Sequence, residues 1–148
     1  MFVVFDLDGT IANCEHRLHH IDRHFDDDGN KTKPNWRAFF AACADDTPIE
    51  PIIQTCIAMK FAGHRVEIWS GRSDECRDQT WAWLGSHDLG EIPLRMRKAG
   101  DHRQDFIVKS EWLDETGMPD LIFDDRASVV SMWRERGILC CQVAPGDF

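Results

Sequence analysis

The sequence predicts an α/β fold in which helices flank a parallel five-stranded sheet. Five short apolar segments, at 2–5, 66–69, 92–96, 121–123 and 138–143, have the length and composition of buried strands. Single amphipathic helical patterns separate the last four segments, and strands joined in this way pair in parallel through right-handed crossovers. We therefore expect a Rossmann-like sheet in a single domain that spans residues 1–148.

Four helices are predicted between the strands from signals at their ends. Residues 47–50 have the pattern of a capping box with proline at the first helical position, and they predict the start of the first helix. Ser73 is expected to open the second helix, and Asp101 with Gln104 the third. The fourth is expected over about 127–135.

Residues 14–46 are predicted to form an insertion between two core segments, 1–13 and 47–148. Some 60 residues separate the first two strands, which is more than one crossover helix uses. Apolar residues recur at helical spacing over 18–25 and 36–43, so we expect a small helical cap. It would lie at the carboxyl end of strand one, where doubly wound sheets bind ligands.

The composition excludes several classes of protein. The chain has 17 Lys and Arg against 26 Asp and Glu, and this formal net charge of −9 disfavours an extended groove for nucleic acid. No run of 18 apolar residues is present, so no membrane association is expected. The first residues lack the basic region of a signal peptide, which predicts a cytoplasmic protein with reduced cysteines. Nothing in the sequence indicates a protein partner.

Two aspartates directly after the first strand are the sharpest chemical signal. Side chains two apart on an extended segment point the same way, so Asp6 and Asp8 can face one site, and Gly9 permits the turn that aims them. A polar loop with a turn glycine is the alternative. Taken alone, this short pattern does not decide between the two.

Polar residues at the ends of later elements strengthen the signal. Strand two ends in Ser70-Gly71-Arg72, Lys109 precedes strand four, and strand four ends in Asp124-Asp125. A helix cap, a solvated helix residue and a turn are the respective alternatives. Because the carboxyl ends of parallel strands share one edge, all of these residues are expected to converge there.

The charges of this group predict its chemistry. Four carboxylates (Asp6, Asp8, Asp124 and Asp125) with one lysine would repel an anion. A Mg²⁺ ion bound by carboxylate oxygens would remove most of this electrostatic repulsion. Asp6 could then attack phosphorus and form an aspartyl phosphate, while Asp8 protonates the leaving oxygen and later activates water. Ser70 would hold a phosphoryl oxygen, and Lys109 would offset charge in the transition state.

The four motifs, in this order, resemble those of the haloacid dehalogenase superfamily of phosphotransferases. Its first motif corresponds to residues 6–10, its second to Ser70, its third to Lys109 and its fourth to residues 124–125. The resemblance covers the core, about residues 1–13 and 48–148. It implies the haloacid dehalogenase fold and a phosphomonoester hydrolase.

A narrower resemblance is to the 3′-phosphatase domain of phage polynucleotide kinase–phosphatases. It is carried by residues 69–72, 95–109, 124–133 and 141–148. The resemblance implies residues that bind the substrate phosphate and residues that support the site. The first are Ser70, Gly71, Arg72 and Arg17, which lies nine residues after Asp8; the second are Thr10 and Asp105, which lies one turn before Lys109.

This resemblance is stronger evidence for the chemical reaction than for the identity of the substrate. The chain has no kinase P-loop, and the insertion is longer and richer in histidine and aromatic residues than the short cap of that family. The expected substrate is the 3′-phosphate of a polynucleotide end. The alternatives are a nucleoside monophosphate or, in another class, a non-catalytic nucleotide-binding module.

Three weaker patterns stay open. His16, His20 and His24 could share a helix face as a metal site, although surface or substrate-facing histidines are the simpler interpretation. Trp36 and Phe39 could stack on a base or fasten the cap to the sheet. The basic residues of the loop after strand three could surround a phosphate or be solvated: Arg95, Arg97, Lys98, His102 and Arg103.

Overall fold

The computed structural model describes residues 1–22 and 32–146. Its strands are β1 (Phe2–Phe5), β2 (Ala12–Asn13), β3 (Thr47–Pro48), β4 (Arg65–Ser73), β5 (Leu94–Arg97), β6 (Leu121–Arg126) and β7 (Leu139–Gly146). Its α-helices are α1 (Trp36–Ala41), α2 (Glu50–Phe61), α3 (Arg77–Ser86), α4 (Asp105–Thr116) and α5 (Ala127–Glu135). Short 3-10 helices cover Glu15–His20, Ala42–Asp45 and Asp74–Cys76.

The main sheet has the strand order β5-β4-β1-β6-β7, and all of its pairs are parallel. This confirms the predicted five-stranded parallel sheet. The central strand β1 is buried on both faces because alternate side chains contribute to two cores. Val3 and Phe5 pack in the cluster that includes residues of α2 and α3, and Val4 packs in the cluster with α4 and α5.

Two of the predicted helix starts are wrong. Thr47 and Pro48 pair with Ala12 and Asn13 as an antiparallel ribbon, so they form β3 rather than a capping box. The helix predicted to begin at Asp101 is α4, and it begins at Asp105. Asp101 instead lies in the preceding loop, where its carboxylate accepts hydrogen bonds from Arg103. The predicted helix over 127–135 is confirmed as α5.

The β2–β3 ribbon lies at the two ends of the segment 14–46 and brings them together. Between its strands the structure describes the 3-10 helix Glu15–His20, α1 and the 3-10 helix Ala42–Asp45. The amphipathic helix expected from residue 18 to residue 25 is therefore a short 3-10 helix, and its expected apolar residue Phe25 lies outside the described residues. No helix in the described part of the chain is both long and apolar enough to cross a bilayer.

Candidate active site

The turn after β1 is held tightly against β6. The backbone N–H of Asp6 donates to the carbonyl oxygen of Phe123 at 2.8 Å. Gly9 has φ +82°, and a Cβ there would overlap the carboxylate of Asp125. Only glycine allows this approach without strain, so the turn packs directly against the two aspartates near the end of β6.

Lys109 connects three carboxylates at this edge from the buried face of α4. Its Nζ donates to Oδ1 of Asp6 at 2.5 Å and to Oδ2 of Asp124 at 3.0 Å, and it lies 3.7 Å from Oδ2 of Asp105. Its side chain is almost fully buried. Burial alone would lower the pKa of Lys109, but the three carboxylates outweigh it and raise the pKa well above its usual value. The ammonium ion is therefore a permanent charge of the site.

Asp6, Asp124 and Asp125 form a compact acidic group. One oxygen of each lies within 4.8 Å of the others, and all three residues are buried. Burial raises the pKa of Asp6 well above the usual value and that of Asp125 to about 6, and the neighbouring carboxylates add to both shifts. Asp124 accepts from the indole of Trp133 at 3.2 Å. Three buried carboxylates so close together cost free energy to ionise. A divalent cation, which prefers hard oxygen ligands, would stabilise their ionised form.

The carboxylate of Asp8 does not join this acidic group, although Asp8 was predicted to be a metal ligand. Its Oδ1 accepts from Arg17 at 2.5 Å and from the Nε and a terminal nitrogen of Arg72 at 2.9 and 2.5 Å. Burial would raise the pKa of Asp8, but the charges of Arg72 and Arg17 outweigh it and lower the pKa. Both guanidinium groups are fully buried. Oppositely charged partners thus turn Asp8 away from the other three aspartates.

Asp46, at the end of the insertion, completes this ion network and was missed in the sequence. It accepts from Arg17 at 2.6 and 2.7 Å and from Arg72 at 2.6 Å, and His16 lies 2.9 Å from its Oδ1. The indole of Trp83 donates to its carbonyl oxygen at 2.8 Å. An aspartate beside Asp45 in a polar segment, outside any recognised motif, gives no local signal. Only its long-range partners identify it.

Asp105, predicted to support Lys109, also contacts the residues around Gly71 near the end of β4. Arg97 donates to its Oδ1 at 2.7 Å and to the carbonyl oxygen of Gly71 at 2.9 Å. A Cβ on Gly71 would overlap the Asp105 carboxylate, so the glycine lets α4 approach β4 closely. Arg126 lies 3.7 Å from Oδ2 of Asp105.

Two predicted hydroxyl residues lie at the same edge. Ser70 is fully buried, and its Oγ accepts from the backbone N–H of Arg72 at 3.2 Å. Thr10 is also fully buried, and its Oγ1 has no hydrogen-bond partner among the described residues. An unpartnered buried hydroxyl is costly, which is typical of a group that awaits a ligand or water.

Three arginines in and just after β5 are paired with other residues rather than open to a ligand; Arg95 and Arg97 lie in the strand, and Arg103 lies in the loop that follows it. Arg95 pairs with Glu115 and Thr116, and Arg103 pairs with Asp101 and Glu111. Arg97 is held by Asp105 and backbone carbonyl groups. Acidic residues nearby in the fold, which the linear pattern does not reveal, satisfy these guanidinium groups.

The aromatic residues and histidines of the insertion have different surroundings in the structure. Phe39 is buried with its ring 4.1 Å below the Arg17 guanidinium, so it fastens the insertion and offers no free face for a base. Trp36 packs on Phe39 and is 45% exposed. His16 contacts Asp46, and a 3-10 helix does not place His20 on the same face. His24 lies outside the described residues.

The family described as the polynucleotide kinase PNKP phosphatase domain matches residues 1–148 of this chain. Two solved structures of a Pnkp1/Rnl/Hen1 complex, one described as an RNA repair complex, contain chains that are similar over 99% of this chain. Their TM-scores are 0.78 and 0.77, with 29% and 30% identity. This chain spans less than half of those chains, 43% and 46%.

More distant structures share the fold. A haloacid dehalogenase-like hydrolase from Streptococcus pneumoniae has a TM-score of 0.60 and 13% identity over 94% of this chain and 82% of its own. A class C acid phosphatase from Bacillus anthracis, solved with tungstate bound, has a TM-score of 0.56 and 16% identity over 83% of this chain and 51% of its own. At these identities the likeness concerns the fold, and it confirms the fold expected from the four motifs.

The raised pKa of Asp125 predicts a pH-dependent stability of the metal-free protein. The folded value of about 6 exceeds the usual value near 4, so the folded state binds a proton that the unfolded state has released between these values. The stabilising contribution of Asp125 to the free energy of unfolding is therefore fully present below about pH 4 and is lost as the pH rises through about 6. In EDTA, Asp125→Asn should raise the free energy of unfolding at pH 7.5 by about 2 kcal/mol and by much less at pH 4.5.

Urea unfolding of wild type and variant at both pH values measures this difference. Asp114→Asn is the control, because it removes a carboxylate whose side chain is 62% exposed. If Asp125→Asn increases the free energy of unfolding equally at both pH values, the raised pKa does not belong to this carboxyl group.

Proposed function

The chain belongs to the family of the polynucleotide kinase PNKP phosphatase domain, and we propose on that premise that it removes 3′-phosphate from polynucleotide ends with the help of Mg²⁺. It is a phosphatase of the haloacid dehalogenase type; the substrate, the metal and the residue roles are the proposal. The observation that carries it is the buried Lys109, which bridges Asp6 and Asp124 at the carboxyl edge of the sheet.

Asp6 is the proposed nucleophile. Its carboxylate oxygen bonds to phosphorus while the bond from phosphorus to the leaving oxygen breaks, which gives an aspartyl phosphate. The positive charge of Lys109, 2.5 Å away, stabilises the negative charge that develops on the phosphoryl oxygens. Water then attacks phosphorus and releases phosphate and free Asp6.

Asp8 is the proposed general acid and base. To protonate the leaving oxygen it must first hold a proton, which Arg17 and Arg72 oppose in the free protein. A bound phosphoryl group attracts both guanidinium groups and so weakens their hold on Asp8, which raises its pKa. The same residue then removes a proton from the attacking water.

The phosphate and the metal would be held by different residues. Ser70, Gly71, Arg72 and Arg17 surround the phosphate in this proposal, and Thr10 contributes the unpartnered hydroxyl near the nucleophile turn. Asp6, Asp124 and Asp125 would hold Mg²⁺. When bound, the ion would neutralise their charge and polarise a phosphoryl oxygen.

A polynucleotide 3′ end is the first choice of substrate because the matching family is that of polynucleotide kinase phosphatase domains. The net charge of −9 opposes contacts with a long backbone, so recognition would be confined to the end. A nucleoside monophosphate is the second candidate, and family membership disfavours a non-catalytic module. The similar chains come from a multi-protein complex, so the expectation of no protein partner is not retained. Cytoplasmic location stays a prediction.

Replacement of the nucleophile tests the chemistry. Asp6→Asn keeps the shape of the side chain but removes the attacking charge, so turnover of an aryl phosphate should fall by at least about 10³-fold. The fold should persist, since one of the crowded carboxylates is removed. Steady-state kinetics and circular dichroism of the purified variant measure both effects. Full turnover in Asp6→Asn would exclude this residue as the nucleophile.

Removal of the metal tests the acidic group. EDTA should abolish turnover and Mg²⁺ should restore it, whereas Ca²⁺ should support it poorly because its coordination is larger and looser. Asp124→Asn should weaken activation by Mg²⁺, and isothermal titration should show weaker binding of the ion. Asp120→Asn is the control, because that residue lies at the opposite end of β6. Undiminished turnover in EDTA would refute the requirement for a metal.

A panel of substrates decides between a polynucleotide end and a mononucleotide. We expect kcat/KM to increase from nucleoside 3′-phosphates to 3′-phosphorylated dinucleotides and trinucleotides and to change little with longer chains. The slope of log affinity against log salt should correspond to about one to three phosphate contacts. If nucleoside monophosphates are the better substrates, the second candidate replaces the first. A steep salt slope with preference for long chains excludes the confined site.

A further inference from the structure

Trp133 reaches the acidic group from α5, the helix that follows β6 directly. Its indole Nε1 donates a hydrogen bond to Oδ2 of Asp124 at 3.2 Å. The residue lies nearly two turns into the helix, so the contact runs from the body of α5 back to the end of β6. Trp133 therefore connects the apolar core on this side of the sheet with the proposed metal site.

The hydrogen bond between Trp133 and Asp124 is buried. Each of the two residues is 1% exposed. A buried indole N–H needs an acceptor and a buried carboxylate needs donors, so each group satisfies the other. The indole is therefore part of what makes the buried carboxylate of Asp124 tolerable.

Packing holds the indole ring in place. Trp133 belongs to the same apolar cluster as Val129 and Val130 of its own helix, and its ring centroid lies 6.0 Å from that of Trp69. Side chains in a close-packed core occupy defined rotamers. The indole N–H is consequently a donor with a fixed position, to which the carboxylate of Asp124 must adapt.

Three donors from different elements set the orientation of the Asp124 carboxylate. Its Oδ2 accepts from Lys109 at 3.0 Å as well as from Trp133, and its Oδ1 accepts from the backbone N–H of Arg126 at 3.1 Å. Lys109 has a flexible stem and also bonds to Asp6, so its ammonium group can follow a rotation of the carboxylate. The packed indole opposes such a rotation.

We propose that Trp133 is a positioning residue that holds the Asp124 carboxylate in the orientation in which it binds the metal ion. The inference rests on the proposed function, in which Asp6, Asp124 and Asp125 hold Mg²⁺, and deepens it. Hydrogen bonds to a carboxylate ligand orient it for the metal, and their loss lowers metal affinity by about 10- to 100-fold. Packing alone would affect the stability of the fold and not the affinity for the ion.

Removal of the indole donor tests this role. Trp133→Phe keeps an aromatic ring in the core but cannot donate to Asp124. In isothermal titration of the metal-free protein with Mg²⁺, the dissociation constant should rise by about 10-fold. The Mg²⁺ concentration for half-maximal turnover of an aryl phosphate should rise similarly. At saturating Mg²⁺, kcat should change by less than about threefold, because the bound ion then orients the carboxylate itself.

Trp112→Phe is the matched control for the loss of packing. Trp112 lies in the same apolar cluster, and its ring centroid is also 6.0 Å from that of Trp69. Its ring lies beneath the guanidinium group of Arg95, 5.3 Å from the ring centroid. Urea unfolding should show a loss of stability in both variants, whereas the Mg²⁺ dissociation constant should rise only in Trp133→Phe.

An isosteric side chain separates the donor from the shape of the ring and decides the question even if Trp133→Phe does not fold. Replacement of Trp133 by β-(3-benzothienyl)alanine, in which sulfur takes the place of the N–H, should cause the same loss of Mg²⁺ affinity. Wild-type affinity in this protein would overturn the proposal, as would an equal loss in Trp112→Phe. If wild type binds no Mg²⁺ and keeps full turnover in EDTA, the proposed metal site itself fails.

Discussion

The buried ammonium group of Lys109 is the interaction on which the site depends. A charged lysine inside a protein is stable only if anions compensate for the water it loses, and here Asp6, Asp124 and Asp105 do so. The compensation is mutual, because the acidic group would be less tolerable without the lysine. The ion network also ties α4 to the ends of β1 and β6, so the tertiary structure fixes the position of Asp6, the proposed nucleophile.

A second ion network couples the insertion to the same site. Arg17 comes from the start of the insertion and Asp46 from its end, and both bond to Arg72 or Asp8 of the core. Two arginines and two aspartates balance in charge, so the network can be buried. A displacement of the insertion away from the core would therefore break the charged hydrogen bond from Arg17 to Asp8 and that from Arg72 to Asp46. The insertion that would choose the substrate is thus linked physically to the residue that would transfer the proton.

The sequence predicts those parts of the fold and site that local patterns encode. The apolar segments and the aspartates after them identify the sheet and its reactive edge, because strand periodicity and motif spacing are local. The prediction for residues 47–50 is wrong, because their sequence is compatible with a capping box as well as with a strand. Pairing of Thr47 and Pro48 with Ala12 and Asn13, from a distant part of the chain, decides for the strand. Asp46 gives no signal for the same reason. Ion pairs between distant residues are settled by packing, which a linear pattern does not record.

The distribution of arginines bears on how this acidic protein would bind the anionic end proposed as its substrate. Arg95 and Arg103 are paired with glutamates and an aspartate, so they add little electrostatic field beyond their own surroundings. Arg17 and Arg72 are buried against Asp8 and Asp46, whose opposite charges offset theirs at longer range. The carboxyl edge of the sheet consequently carries both signs of charge, because its buried cations lie beside the acidic group and Asp8. In the proposed function, Mg²⁺ bound by the acidic group would offset the carboxylates so that a terminal phosphate can enter this edge, while the net charge of −9 opposes contact with the rest of a polyanion.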